Sequence, residues 1–278
     1  MTGYLDRFKI TDKICIITGG AGLLGLKHAE AVLEGGGIPV LLDISDEALT
    51  RAKAYLLAQY PSGHVETIKS DITSKEQLTN VKNQLLALYG HIDALINNAA
   101  NNPKMEGNST NMAAIRFDNF PIDMWNMDLA VGLTGALLCS QVFGSVMEEQ
   151  KSGVIINISS DYGLISPDQR IYQKDDVAEE QQLVKPISYS VVKHGIIGMT
   201  KYLATYWAQK GIRVNTLCPA SLYNGQDPEF VNKLSNLIPM GRMSRPDEYV
   251  CTVLYMLSDA STYMTGATIV LDGGRTCW

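Results

Sequence analysis

Cysteine is scarce: 278 residues carry five, Cys15, Cys139, Cys218, Cys251 and Cys277, without a CxxC pair. An odd, scattered set of this kind excludes a disulfide framework and a zinc site, and no metal is expected. It fits reduced thiols in a cytoplasmic protein. An excess of basic charge is also missing. The formal net charge is −6 at pH 7, which argues against nucleic acid as a partner. The opening residues MTGYLDRFKITDK lack the apolar region of a secretory signal. No uninterrupted apolar run has the length of a bilayer span, so no membrane partner is expected. Neither an internal repeat nor a linker divides the chain. What remains is an ordinary globular composition, 46% hydrophobic and 19% charged, read as one domain over 1–278.

The most informative stretch is KICIITGGAGLLG, Lys13 to Gly25. Ile14, Ile16 and Ile17 form a β-branched run suited to a parallel strand buried on both faces. Thr18 ends it, Gly19, Gly20, Gly22 and Gly25 follow, and LKHAEAVLE continues as a helix. Glycine there tolerates positive φ and, lacking Cβ, lets backbone N–H groups approach a pyrophosphate at a helix N-terminus. About twenty residues further on, the apolar run Ile38 to Leu42 ends in Asp43, placed to accept hydrogen bonds from an adenosine ribose and to repel a 2′-phosphate. The expected cofactor is therefore NAD rather than NADP. A helix N-cap is the competing role for Asp43, with Ser45 and Asp46 as rivals for it.

Strand and helix then alternate. Helices are predicted over 46–59 and 75–89, with a third strand, HVETIKSDIT, ending at Asp71 and a fourth over Ile92 to Ala100. A long helix follows from Trp125 to Gln150. VIINISS is a fifth strand ending at Ser159 and Ser160, ISYSVVKHGIIGMTKYLATYWAQKG a helix, IRVNTLCPA a sixth strand and ATIVLDGG a seventh. This order predicts an α/β fold, a doubly wound seven-stranded parallel sheet with helices on both faces and ligands at the carboxyl ends of the strands. Residues 101–124 and 161–186 show no sustained period and are read as substrate-site loops. The charged run from Lys174 to Glu180 reads as a solvated face.

Taken in order, TGGAGLLG (Thr18 to Gly25), Asp43, Asp71, NNAA (Asn97 to Ala100), Ser160, the YxxxK pair Tyr189 and Lys193, Pro219 and the terminal TGATIVLDGG resemble the short-chain dehydrogenase/reductase superfamily over the whole length, in its single-domain Rossmann branch. The resemblance implies hydride transfer between nicotinamide and a secondary alcohol or ketone, with Ser160, Tyr189 and Lys193 catalytic. Tyr189 and Lys193 are four apart, on one helix face. An ammonium beside a phenol stabilises the phenolate and is expected to lower the Tyr189 pKa. Ser160 is placed to donate a hydrogen bond to the substrate oxygen. Tyr172 and the adjacent Ser159 are rivals for these roles. The resemblance further implies a cofactor surface of Thr18, Gly19, Gly22, Leu24, Gly25, Asp43, Asp71, Ile72, Asn98, Ala99, Ala100, Tyr189, Lys193, Pro219 and Leu222.

Four departures stand out. The cofactor turn is spaced TGxxGxxG, with Leu23 where single-domain relatives usually have glycine, a spacing commoner among extended sugar epimerases and dehydratases. Gly132 occupies the place of the usual tetrad asparagine. Ala220 replaces the glycine after Pro219. Ser160 and Tyr189 lie 29 residues apart, so the added residues must loop over the site. With 101–124 they are expected to form a polar wall bearing Lys104, Arg116, Arg170, Lys174 and Lys185, suited to a bulky or phosphorylated substrate. TGGAGLLG, the insertion from SDYG to YSVVKHG, NTLCPASLYNGQ, IPMGRM and DGGRTCW look most like bacterial oxidoreductases of flagellin glycosylation and nonulosonic (legionaminic) acid pathways. That likeness implies a sugar phosphate or nucleotide-linked sugar as substrate. The alternatives are a redox-neutral epimerase or dehydratase with bound NAD and a weakly catalytic NAD-binding protein. The two apolar helices predict a homo-tetramer or homo-dimer.

Overall fold

The computed structural model describes residues 3–101 and 116–278. Seven parallel strands, β1 (Ile14–Thr18), β2 (Ile38–Asp43), β3 (Glu66–Lys69), β4 (Ala94–Asn97), β5 (Gly153–Ile158), β6 (Ile212–Pro219) and β7 (Thr268–Leu271), lie in the order β3-β2-β1-β4-β5-β6-β7. The order reverses between β1 and β4, which opens a crevice at their carboxyl ends. This is the doubly wound sheet that the sequence predicts.

Successive side chains of a strand point to opposite faces, and both faces are filled. Ile14, Ile16, Val40, Leu95, Ile155 and Val214 meet helices α3 (Lys75–Tyr89), α5 (Ala136–Gln150) and α6 (Ile187–Trp207) through Leu78, Leu85, Phe143, Met147, Leu203 and Trp207. Cys15, Ile17, Leu41, Ile96, Ile156 and Leu217 meet α1 (Leu23–Glu34), α2 (Asp46–Gln59) and α8 (Val250–Leu257) through Ala29, Val32, Leu49, Leu56, Val253 and Met256. Burial of this apolar surface holds the strand ends in register.

The structure corrects several boundaries. The third strand stops at Lys69, because Asp71 turns the chain: its Oδ1 accepts hydrogen bonds from the Thr73 amide (2.8 Å) and hydroxyl (2.7 Å). The long helix begins at Ile122, directly after Pro121, and is not continuous. Helix α4 (Ile122–Leu129) passes through a π-turn over Ala130–Gly135 before α5. Val192 packs where a Cβ at Gly132 would stand, and Ile72 does the same at Gly135. Against the expectation from the sequence, Ile122–Gln150 is long and apolar enough, by length and composition alone, to cross a membrane. Half of its most apolar stretch is buried within the protein, with Cys139, Phe143 and Met147 fully enclosed.

Two short helices were not legible as such, α7 (Pro228–Ser235) and α8. Asp227 caps α7 through the Glu229 amide (2.9 Å), a start signal reinforced by Pro228. The 161–186 insertion is ordered by three short 3-10 turns, Asp161–Gly163, Gln169–Tyr172 and Glu179–Gln181. Its Ile171 shares a small apolar cluster with Leu234, Ile238 and Met243, while Lys174 pairs with Asp227 (2.8 Å) and Lys233 donates to the Gln173 carbonyl (2.6 Å). The run from Lys174 to Glu180 is a largely exposed face, as its composition suggests. Residues 102–115, most of the other predicted substrate loop and including Lys104, lie outside the described residues.

Candidate active site

The cofactor cradle is built from backbone. Gly19 adopts φ +60°, and a Cβ at Gly25 would collide with the Gly19 carbonyl, so the turn closes only with glycine at both places. The Thr18 hydroxyl accepts the amides of Asn98 and Ala99 (both 3.0 Å), and the Asn98 side chain donates to the carbonyls of Thr18 (2.9 Å) and Gly19 (3.1 Å). These bonds tie the end of β4 to the turn. Helix α1 begins behind Gly22 without a side-chain cap, leaving its first amides for an anion. Ser45, not Asp43, caps α2, through the Ala48 amide (3.2 Å). Asp43 instead accepts the Ala21 and Ser45 amides (3.3 Å each), which orients its carboxylate beside the turn.

The remaining cofactor positions divide. Leu24, Ala99 and Asn98 are half-buried and Ala100 exposed around the turn, whereas Ile72 is buried in the core. Asp71 is exposed and its carboxylate engaged by Thr73. Beyond Pro219, Ser221 is held at φ +53°. Tyr249 and Ser244 both donate to the Ala220 carbonyl (2.8 and 3.1 Å), and Leu222 bridges to Ser244, so this segment is fixed. A glycine cradle, a free helix N-terminus and a carboxylate at the end of β2 fit a dinucleotide, with Gly19, Gly22 and Leu24 toward the pyrophosphate and Asp43 toward the ribose.

The candidate catalytic corner lies across the crevice, where β5 runs out. Ser159 donates to the Lys193 carbonyl (2.7 Å) and pins α6. Ser160, 5% exposed, donates to Asp161 Oδ1 (2.6 Å) and faces Tyr189. Tyr172 is turned to other partners: its hydroxyl lies 3.4 Å from that of Tyr162, its ring packs at a tilt against Phe230, and burial pushes its pKa up.

One electrostatic expectation is corrected. Burial pushes the Tyr189 phenol up to about 12; the Ser160 hydrogen bond works against this, and the nearby Asp161 and Tyr162 reinforce it. Lys193 is itself brought down to about 8, by desolvation and then by the charge of Lys185. Its ammonium donates to the Ile158 carbonyl (2.9 Å) and stands 5.6 Å from the centre of the Tyr189 ring. The pair at helical spacing is present, but Lys193 does not by itself hold the phenol at a low pKa.

Other groups converge on this corner that the sequence reading did not single out. Asp161 Oδ2 pairs with Arg275 at 3.3 Å, both side chains 5% exposed. Tyr162 meets Tyr189 edge-on, 6.3 Å between ring centres. Asp128 of α4 accepts hydrogen bonds from Ser188 and from Asn101 (2.8 Å). The acidic residue after Ser160 and the arginine in DGGRTCW were signals of a kind, but nothing local says they meet. Among the described residues of the expected polar wall, only Lys185 reaches Tyr189, its Nζ 3.8 Å from the ring centre. Arg170 pairs with Asp168 and is 82% exposed, Lys174 is spent on Asp227, and Arg116 donates to the Glu179 carbonyl (2.8 Å). A cleft of about 560 Å³ at the other end of the sheet, beside Lys13, Asp93 and Arg213, holds none of these residues. Among the described residues no group of three or more His, Cys, Asp or Glu could hold a metal ion.

A dinucleotide cradle on one side of the switch point and a Ser, Tyr and Lys set on the other are the layout of a nicotinamide-dependent oxidoreductase. The chain belongs to the short-chain dehydrogenase/reductase superfamily: residues 21–276 match the family described as enoyl-(acyl carrier protein) reductase. It is similar to an NAD-dependent glycerol dehydrogenase of Listeria innocua, 30% identical over 99% of this chain and 98% of that one. It is 29% identical to post-translational flagellin modification protein A of Campylobacter coli, over 95% and 98% of the two chains. A crystal structure of a short-chain dehydrogenase from Leptospira borgpetersenii with bound NAD+ superposes with a TM-score of 0.81 at 30% identity, covering 99% of this chain and 96% of that one.

Proposed function

We propose that this single-domain enzyme transfers hydride between NAD and a secondary alcohol or ketone of a sugar phosphate or nucleotide-linked sugar, in bacterial surface-glycan biosynthesis. The observation that carries the reading is the convergence of Ser160, Tyr189 and Lys193 at the carboxyl end of β5, in a sheet whose β1 ends in the glycine turn of Gly19, Gly22 and Gly25. Bound NAD supplies the hydride acceptor. Ser160 turns its hydroxyl from Asp161 to the substrate oxygen, Tyr189 exchanges a proton with that oxygen, and Lys193, fixed to the Ile158 carbonyl, supports the phenolate and would hold the nicotinamide ribose. Asp43 favours NAD over NADP, because a 2′-phosphate would meet its carboxylate.

Relatives named for glycerol, D-threitol and galactitol dehydrogenation support a polyhydroxylated substrate. The flagellin-modification relative and the insertion over the site support the sugar-linked class. The outer faces of α4, α5 and α6 expose Met127, Leu137, Val191 and a stacked Tyr202–Tyr206 pair, which supports a homo-tetramer or homo-dimer. Five scattered, free cysteines support a cytoplasmic location, and the acidic net charge a small-molecule substrate.

The test is titration of NAD and NADP into wild-type protein and Tyr189→Phe, followed by absorbance at 340 nm over sugar phosphates, nucleotide sugars and polyols. Turnover with NAD that vanishes in the variant is the expected result. Tight NAD binding with no absorbance change across the panel would overturn the dehydrogenase reading in favour of redox-neutral chemistry.

A further inference from the structure

Tyr189 is flanked by two cations, and the nearer one comes from the insertion. The Lys185 ammonium stands 3.8 Å from the centre of the ring, against 5.6 Å for Lys193. Its backbone is clamped by one side chain: Gln169 Oε1 accepts the Lys185 amide (2.8 Å) and Gln169 Nε2 donates to its carbonyl (3.3 Å). Pro186 follows and opens α6, which holds residue 185 extended. Lys185 is therefore placed on the ring by fixed backbone at both ends. Opposite, the π-turn carries Gly132 against Val192, with no side chain to offer.

We propose that Lys185 is a second positioning cation for Tyr189, acting on the face of the ring to favour the phenolate and supplying charge at a corner where Gly132 contributes no polar group. This rests on the reading of Tyr189 as the acid/base. A cation over an aromatic face is attracted to it, more so when the ring carries a negative charge. At this range in a half-buried site the effect on ionisation is on the order of one to two pH units.

The groups that face Lys185 fit that role. Asp161 and Asp128 hold it charged, against a desolvation that brings it down to about 8. Arg275 balances Asp161. Tyr162 and Tyr172 pack beside the phenol, and Cys218 lies near Lys193. The charge of Lys185 also presses on Lys193, and in the proposed role the phenol is linked to the same two lysines. Removing Lys185 must raise the proton affinity of both remaining groups.

The test uses full-length protein with [13Cζ]tyrosine, saturated with NAD, the Tyr189 signal assigned by its loss in Tyr189→Phe. Between pH 6 and 12.5, the signal is expected to lose ionisation at a given pH, equivalent to an upward move of about one pH unit or more, in Lys185→Met and to return close to wild type in Lys185→Arg. A folded Lys185→Met protein whose signal does not move relative to wild type overturns the proposal. Should the Met variant not fold, Lys185→Gln takes its place with the same expectation. Failure to bind NAD would strike the proposed function, while the same titration on the unliganded protein still decides the role of Lys185. On a substrate from the panel, Lys185→Met is expected to lower kcat about tenfold at pH 7.5 with KM within twofold. A rise in KM alone would make Lys185 a substrate anchor and overturn the proposal.

Discussion

The two sides of the crevice are made in different ways. On the β1 side the working parts are backbone: a glycine turn, helix amides, and the Thr18 and Asn98 side chains used as ties between loops. On the β5 side they are side chains delivered from five separated segments, at Asp128, Ser160 and Asp161, Lys185, Tyr189 and Lys193, and Arg275. A backbone site is fixed by sterics and tolerates few substitutions. A side-chain site is fixed by charge balance, and each member's proton affinity depends on the others.

Substitutions on each side sharpen this contrast, and the chemistry is expected to respond most. Tyr189→Phe should reduce kcat by about a thousandfold while the NAD Kd, measured by fluorescence titration, stays within about twofold. Asp161→Asn leaves Arg275 charged and unpaired in the interior and should cost about 3–5 kcal/mol in urea unfolding. An equal loss in Arg275→Met would show that the pair acts as one unit. On the backbone side, Gly25→Val forces the turn open and should destabilise by about 1–3 kcal/mol and abolish detectable NAD binding, while Tyr189 keeps its titration. Asp43→Ala should move the NAD/NADP affinity ratio about tenfold toward NADP.

The smallest effect is in pH. Lys193 is brought from 10.5 down to about 8 in the native protein, so between those values the unfolded chain binds more protons. The stability contributed by this group therefore rises with pH across that window and is lost as pH falls through 8. Lys185 is lowered likewise. The difference in urea midpoint between wild type and Lys185→Met should shift in favour of wild type from pH 7.5 to 9.5.

The same contrast explains what was legible in the sequence. Gly19, Gly25 and Asp43 stand close together in the chain, and the sterics that make them useful also make them readable. The strands and most helices follow from periodicity, because their burial is one-sided or complete in a regular way. Asp161 and Arg275 are different: each is an ordinary charged residue until the other is beside it. Tyr189 and Lys193 were readable as a pair, yet the direction of the phenol's shift was not, since it is set by burial against Tyr162 and Asp161 rather than by spacing on a helix. The break at Gly132 was visible as a missing asparagine; that Val192 fills the space is a fact of packing.

Arg275 lies beyond β7, far downstream of the carboxylate it neutralises. During synthesis, Asp161 emerges from the ribosome long before its partner. Until then the Ser160 corner would have to enclose an uncompensated negative charge, which low-dielectric surroundings oppose. The strands that border the glycine turn, β1, β2 and β4, are all made early, but the Asp161–Arg275 pair has to wait for the final strand of the sheet.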